Sequence, residues 1–306
     1  MGDTNNWFVI VNPTSGGGKS IKRWPEIKAQ LSAQGLNFEA CESAYCGHCV
    51  ELAMDAVTQG FRHFICVGGD GTLHELVNGL MRQKVIRPEE FKVGIIPIGT
   101  GNDWARQFNI PKSSEKAIKK IKAGQAKALD IGCIQLDDDA AEPVYFNNLV
   151  GVGFDGHVIK TISRFKALGP LAYLIGALSG LFTYRKFEAQ ISWKDVSIQS
   201  SCLMIVAGLG RFAGGGMQLT SDPDTADGYF DLSVAGNMKR FQVLLLFRSL
   251  FNGKITKSRF VQTDKIKGLR VEVTGSIQPV IEADGELVGS GSFEISILPR
   301  ALKFIT

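Results

Sequence analysis

Three glycine-bearing runs hold the residues best suited to chemistry: Asn12-Pro13-Thr14-Ser15-Gly16-Gly17-Gly18-Lys19-Ser20, Gly68-Gly69-Asp70-Gly71-Thr72 and Gly99-Thr100-Gly101-Asn102-Asp103. Glycine lets backbone N–H groups approach phosphate oxygens, and a helix start adds positive potential. An aspartate such as Asp70 can meet a metal ion or its water. One such run alone reads as a turn. Several aimed at one place read as a phosphate site.

Aiming them requires strands. Apolar runs at 8–11, 37–41, 63–67 and 93–97 alternate with helical patterns at 20–33, 49–59 and 72–82, a repeating β-α order that predicts a mostly parallel sheet with helices on both faces. Such sheets bind ligands at the carboxyl ends of their strands, and each glycine-rich run follows a strand there. After a helical stretch at 113–123 and the turn residue Gly124, the pattern changes. Short β-rich segments follow at 129–136, 144–150, 187–193, 202–207, 229–235, 269–273, 280–283 and 293–298, with helical stretches near 157–182 and 238–251, which predicts a second, β-rich domain.

At 306 residues the chain suits two domains, and 44% hydrophobic with 21% charged residues is an ordinary globular mixture. A formal charge of +4 is too small to demand nucleic acid but suits anionic phosphates or an anionic membrane surface. The polar N-terminus lacks the basic start and apolar stretch of a signal peptide, so a cytoplasmic protein is expected. The longest charge-free stretch, 167–184, barely reaches bilayer-crossing length and contains Gly169, Pro170, Gly176 and Gly180, which argues against a span.

Three rival readings are weighed against the phosphate loops. Gly18-Lys19-Ser20 would end a P-loop, but Pro13 stands where that motif needs its first glycine. Gly208-x-Gly210-x-x-Ala213 matches a dinucleotide fingerprint but lies late in the β-rich half and opens no clear helix. Cys46-Gly47-His48-Cys49 has the spelling of a disulfide isomerase, and a helix beginning near Cys49 would favour reactive thiolates. It lacks a thioredoxin-like context, however, and leaves the glycine loops unexplained. A zinc site from Cys41, Cys46, His48 and Cys49 would be crowded, and the six cysteines imply no disulfide framework.

Taken in order, Asn12-Pro13-Thr14-Ser15-Gly16, Gly68-Gly69-Asp70-Gly71-Thr72, Gly99-Thr100-Gly101-Asn102-Asp103 and Asp284-Gly285-Glu286 resemble the diacylglycerol kinase catalytic family, which includes bacterial soluble lipid kinases and sphingosine kinases. The second run alone is shared with NAD kinases and phosphofructokinases; the order of all four points to the lipid branch. The resemblance spans nearly the whole chain. It implies an N-terminal three-layer α/β nucleotide-binding domain over 1–124 and a C-terminal β-sandwich, the lipid-substrate domain, over 125–306, with the last few residues returning to the first. ATP and a membrane lipid, most simply diacylglycerol, would meet between them.

Carried over residue by residue, the resemblance implies nucleotide contacts from Asn12, Pro13, Thr14, Ser15, Gly16, Ser43, Gly68, Gly69, Asp70, Gly71, Thr72, Leu73, His74 and Thr100. Ser43 replaces a more usual threonine and His74 a more usual asparagine. The implied catalytic residues are Asp70 and Glu286, with Glu286 the general base toward the lipid hydroxyl. Asp224-Thr225-Ala226-Asp227-Gly228-Tyr229 matches the family's structural magnesium site, implying Asp227 with the carbonyls of Asp224 and Tyr229 as ligands beside the magnesium that accompanies ATP. Gly169-Pro170-Leu171-Ala172-Tyr173 resembles the segment near the lipid. Flanked by Lys160, Arg164, Lys166, Arg185 and Lys186, it suits peripheral contact with an anionic inner membrane face. Kinases of other lipids, NAD kinase-like activity and a homodimer stay open at this point.

Overall fold

The computed structural model describes residues 6–138, 140–162 and 183–306, which form two units, Met1–Asp130 with Pro299–Thr306, and Ile131–Leu298. The first unit follows the alternation read from the sequence. Its elements are β1 (Trp7–Val11), α1 (Ser15–Ala33), β2 (Phe38–Glu42), α2 (His48–Thr58), β3 (His63–Gly68), α3 (Asp70–Arg82), β4 (Lys92–Pro97), α4 (Asp103–Gln107) and α5 (Ser114–Ala123). The strands run parallel in the order β2-β1-β3-β4. Helix α1 packs beside α5, and α2 beside α3. Covered sheets of this kind need apolar residues on both strand faces, which is why Val9, Ile10, Val11, Phe64, Ile65 and Val67 are all fully buried.

Two helix starts differ from the sequence pattern. The stretch expected to begin at residue 20 is preceded by Gly16, Gly17 and Gly18 in left-handed conformation, φ +63°, +69° and +81°, a run that only glycine adopts without strain. Helix α3 starts at Asp70 rather than Thr72, so the aspartate of the second loop belongs to a helix N-terminus.

The second unit contains β5 (Ala126–Leu136), most of which falls within it, β6 (Val144–Phe146), β7 (Leu149–Gly153), α6 (Phe154–Ile162), β8 (Phe187–Trp193), β9 (Val196–Cys202) and β10 (Met204–Gly208). It continues with β11 (Phe230–Ala235), α7 (Arg240–Leu246), β12 (Val261–Ile266), β13 (Gly268–Val273), β14 (Val280–Ala283), β15 (Glu286–Ser290) and the start of β16 (Phe293–Ile305). One antiparallel sheet runs β12-β11-β10-β7-β14-β15. Facing it, β16 pairs with β13, β13 with β8, and β8 with β9. The alternation along β8 turns Phe187, Ala189, Ile191 and Trp193 inward. They join Phe146, Phe230, Val271 and Phe293 in one apolar core, a β-sandwich.

The last eight residues of the chain belong to the first unit. Lys303 and Phe304 of β16 pair in parallel with Lys92 and Val93 of β4, and the Arg300 N–H donates to the buried Asp130 carboxylate at 2.7 Å.

Candidate active site

In the first unit the three glycine loops are tied together by side chains rather than merely placed side by side. Asn12, at the end of β1, donates through Nδ2 to Thr72 Oγ1 at 3.0 Å, and Ser15 Oγ lies 3.2 Å from the same hydroxyl. The side-chain Oδ1 of Asn12 accepts from the Thr14 N–H (3.1 Å) and Thr14 Oγ1 (2.9 Å). Thr72 therefore sits on the first turn of α3 with the first loop folded over it.

The second and third loops touch through backbone. A Cβ built on Gly69 would lie 2.9 Å from Gly99 Cα, and one built on Gly99 would lie 2.6 Å from Gly69 Cα. Neither backbone can yield, so only glycine permits this approach. Asn102, at φ +50°, closes the third loop on itself: its Oδ1 accepts from the Gly99 N–H (2.9 Å) and its Nδ2 donates to the Gly99 carbonyl (2.7 Å).

Asp70 links these loops. Its carboxylate accepts the N–H of Asp103 (3.1 Å) and of Trp104 (3.2 Å), the first N–H groups of α4. A carboxylate at a helix N-terminus is stabilised both by hydrogen bonding and by the helix dipole. Asp70, expected to face a metal, is thus also the brace that holds the third loop to the second.

The remaining expected nucleotide residues divide by exposure. Thr14 and Thr100 are exposed, whereas Asn12, Pro13, Ser15, Gly16 and Ser43 are half-buried around the loops. The Ser43 N–H donates to the Val11 carbonyl at 2.8 Å and extends the β1–β2 ladder. Leu73 is fully buried, and His74 keeps only 8% of its surface while its ring nitrogen lies 3.3 Å from Asn78 Nδ2. Their side chains support the loop from beneath.

In the second unit, Asp284 and Gly285 form the two-residue turn between β14 and β15, with φ +53° and +88°. Asp-Gly is the preferred pair for this left-handed hairpin turn. The Asp284 carboxylate accepts the N–H groups of Asn147 (3.0 Å), Asn148 (2.9 Å) and Leu149 (3.1 Å). Glu286 follows at the exposed start of β15, so its carboxylate projects from a fixed turn.

Beneath that turn lies a pair the sequence did not reveal. Glu282 is 2% exposed and Asp155 5%, and both crowd Gly151, where a Cβ would come within 2.5 Å of each carboxyl. Burial, followed by the neighbouring charge of Asp155, pushes the Glu282 pKa well above the usual carboxylate range; the Gly285 N–H, donated to Glu282 Oε2 at 2.7 Å, pulls it the other way. The fold therefore favours the protonated form of Glu282. A folded pKa above the unfolded value gives stability that is full below about pH 4.3, the unfolded value, and is lost as pH rises toward the folded one. Glu282→Gln, which keeps a donor and an acceptor, is expected to flatten the decline in melting temperature between pH 5 and pH 8. Parallel profiles for the two proteins would show Glu282 ionised in the fold.

Around the loop where the structural magnesium is expected, at Asp224, Asp227 and Tyr229, the carboxylates have partners within the protein. Asp227 Oδ1 accepts the Tyr229 N–H at 3.0 Å, and Oδ2 receives the Lys265 ammonium at 2.7 Å. The same ammonium lies 3.4 Å from the buried Asp231 carboxylate, directly across the β11–β12 ladder. Asp224 is exposed and accepts the Ala226 N–H at 3.0 Å. Burial works against the charge on Lys265, but Asp227 and Asp231 outweigh it and hold its pKa above the ordinary value. The Asp227 carboxylate is thus paired with the Lys265 ammonium in this structure. Among the described residues no cluster of three or more His, Cys, Asp or Glu side chains could hold a metal ion. If the loop takes the ion with Asp227 as its carboxylate, millimolar magnesium is expected to raise the melting temperature of the nucleotide-free protein by several degrees over EDTA and to have no such effect on Asp227→Ala; equal melting of both proteins in both conditions would remove the metal from this loop.

The thiol reading is also corrected. Cys49 is buried, and burial followed by the charge of Glu75 pushes its pKa up to about 12, with a hydrogen bond from Ser43 acting in the opposite sense. The helix terminus expected to favour thiolate is instead capped by Glu75, which accepts the N–H of Gly47 (2.9 Å) and of Cys49 (3.1 Å). A carboxylate in that position disfavours a second anion. His48 accepts the Ala44 N–H through Nδ1 and stacks on Tyr45 at 4.5 Å, so this run serves as a helix start. The segment 169–173, together with Arg164 and Lys166, lies outside the described residues. No helix among the described residues is long and apolar enough to cross a membrane.

Comparison with known proteins places both units. Residues 6–134 match the diacylglycerol kinase catalytic domain, and residues 148–306 match the YegS C-terminal NAD kinase beta sandwich-like domain. The chain is 29% identical to the diacylglycerol kinase of Mycobacterium tuberculosis, over 97% of this chain and 94% of that one. It is also 29% identical to the diacylglycerol kinase of Staphylococcus saprophyticus, over 92% and 88%. A crystal structure of a diacylglycerol kinase from Bacillus anthracis shares the fold, with a TM-score of 0.74 at 19% identity, covering 100% of this chain and 98% of that one.

Proposed function

The chain belongs to the diacylglycerol kinase family of lipid kinases, and from that premise we propose that it transfers the γ-phosphoryl group of ATP, accompanied by magnesium, to the free hydroxyl of diacylglycerol, giving phosphatidic acid and ADP. The observation that supports this reading is the knitting of three glycine loops around Thr72 and Asp70. Phosphoryl transfer asks a protein chiefly for positioning and charge stabilisation, and backbone N–H groups on braced loops supply both. Ser15, Thr72 and Thr100 add hydroxyls, and the start of the 13-residue helix α3 adds its dipole.

In this reading Glu286 takes the proton from the acceptor hydroxyl as the oxygen attacks the γ-phosphorus and the bond to ADP breaks. The exposed position of that carboxylate on a rigid turn suits an acceptor presented from a bilayer. The protein would act at the cytoplasmic face of the membrane, with a lipid rather than a nucleic acid as its partner, and a homodimer is compatible with it. Incubation with γ-labelled ATP, magnesium and a total lipid extract, followed by identification of the labelled lipid, tests the proposal. Labelled phosphatidic acid is the expected product. A labelled sphingoid base or monoacylglycerol would move the acceptor within lipids, and label on NAD in a parallel reaction would overturn the lipid assignment.

A further inference from the structure

We propose that α7 and the turns after it, residues 239–260, are the element by which the protein rests on an anionic lipid surface, an inference that builds on the lipid-kinase reading above. Four of the most exposed large apolar side chains among the described residues fall within this short stretch: Phe241 (59%), Leu244 (55%), Leu245 (75%) and Phe251 (47%). Phe241, Leu244 and Leu245 stand at positions i, i+3 and i+4 of α7 and so share one helical face. The other face is already used, because Val243 and Leu246 pack against Leu203, Ala235 and Met238.

The element is fixed to the unit from behind. Leu250 packs against the core around Leu149 and Met217, and its carbonyl accepts the Gln218 N–H at 2.6 Å. Its outward apolar face is therefore presented on a built support. Patches of this kind on a monomer mark an interaction surface.

Charge selects the occupant. Between Asp231 and Asp264 the sequence contains six basic residues, Lys239, Arg240, Arg248, Lys254, Lys257 and Arg259, and no Asp or Glu. Lys239, Arg240, Lys254, Lys257 and Arg259 are all exposed. An open groove of about 670 Å³ runs beside α7, lined by Lys186, Met238, Lys239, Arg240 and Phe241, with Glu188 its acidic residue. A short apolar face rimmed by one sign of charge is the pattern of a helix lying in the headgroup region, where each lysine or arginine adds electrostatic attraction to anionic lipid. The surface also answers a need of the reaction, since a diacylglycerol acceptor stays in the bilayer and the enzyme must reach it there.

Co-sedimentation with vesicles tests the assignment without any need for catalysis. The full chain is expected to partition onto vesicles of phosphatidylcholine containing about one-third phosphatidylglycerol, and to leave them in high salt or when phosphatidylglycerol is omitted. The double variants Phe241→Ser/Leu245→Ser and Lys254→Glu/Lys257→Glu should each lower the partition coefficient by about tenfold or more. Both should keep the wild-type melting temperature and the wild-type turnover of an acceptor dispersed in detergent. The charge pair lies on an exposed turn, so it keeps the test open should the apolar pair disturb folding. Absence of partitioning by the wild type, or equal partitioning by both variants, would overturn the proposal. So would a wild-type dimer in solution that the apolar variant splits, which would make the face an interface between copies. Vesicle binding in this pattern without phosphorylation of any lipid would instead overturn the kinase reading and leave the docking surface standing.

Discussion

Glu286→Gln is expected to lower turnover by about two orders of magnitude or more while leaving ATP affinity within a factor of a few, because the amide keeps the shape of the side chain but cannot accept a proton. The turn that carries it should not move. Asp284 is held by three backbone N–H groups and Gly285 by the Glu282 carboxyl, and neither depends on the charge at residue 286. Melting temperature should therefore match wild type, which separates a lost base from a lost fold. Steady-state kinetics with saturating lipid, paired with ATP titration in the absence of acceptor, measures both quantities. Turnover near wild type would remove Glu286 from proton transfer, and a large loss of ATP affinity would mean that it contacts the nucleotide.

Asp70→Ala should have the largest combined effect on stability and activity. The substitution takes the partners from two N–H groups at the start of α4, and the loss of one helix-capping carboxylate costs about 1–2 kcal/mol before any loop rearrangement. The third loop would then lose its carboxylate link to the second, leaving the glycine backbone contact between Gly69 and Gly99 and the Ile98 N–H bond to the Gly68 carbonyl. Displacing phosphate-binding backbone by about an angstrom is enough to cost roughly a hundredfold in rate. The expected result is a lower denaturant midpoint together with a kcat/KM for ATP reduced by about two orders of magnitude or more. Asp70→Asn, which retains one good acceptor oxygen, should fall between wild type and alanine in stability. If alanine leaves stability unchanged, the bridge to Asp103 and Trp104 carries no load, and any loss of rate belongs to a direct role of the carboxylate.

The parts of this protein that local pattern dictates were legible in the sequence. Apolar strands ending in glycine loops gave the order of the first unit, and the Asp284-Gly285 pair marked a hairpin turn. What was not legible depends on which backbone group lies opposite a side chain far along the chain. Asp70 suggested a metal partner because its donors, the N–H groups of residues 103 and 104, are 33 and 34 positions away. The Lys265 ammonium that faces Asp227 could not be read from the sequence either, because it is brought into place by the register that pairs Asp231 with Lys265. Cys49 looked activated by a helix N-terminus until α3 placed Glu75 there. Membrane contact was expected at 169–173 with its flanking Lys160, Arg164, Lys166, Arg185 and Lys186, whereas an exposed apolar face occurs on α7, where the sequence reads as ordinary amphipathic helix. Whether an apolar residue faces the core or solvent follows from packing, which periodicity alone does not contain.

The return of Pro299–Thr306 to the first unit has a consequence in time. A ribosome that has delivered residue 130 has supplied all of that unit except the strand end that pairs with β4, and at 5–20 residues per second the missing piece emerges on the order of ten to thirty seconds later. During that interval the Val93 side of β4 is an unpaired strand edge beside an apolar sheet, the kind of edge that recruits other chains. The nucleotide-binding unit therefore cannot finish folding as an independent first product of synthesis. Its last strand is made only after the whole second unit, so the protein should need protection during translation and then complete the first unit in a late step.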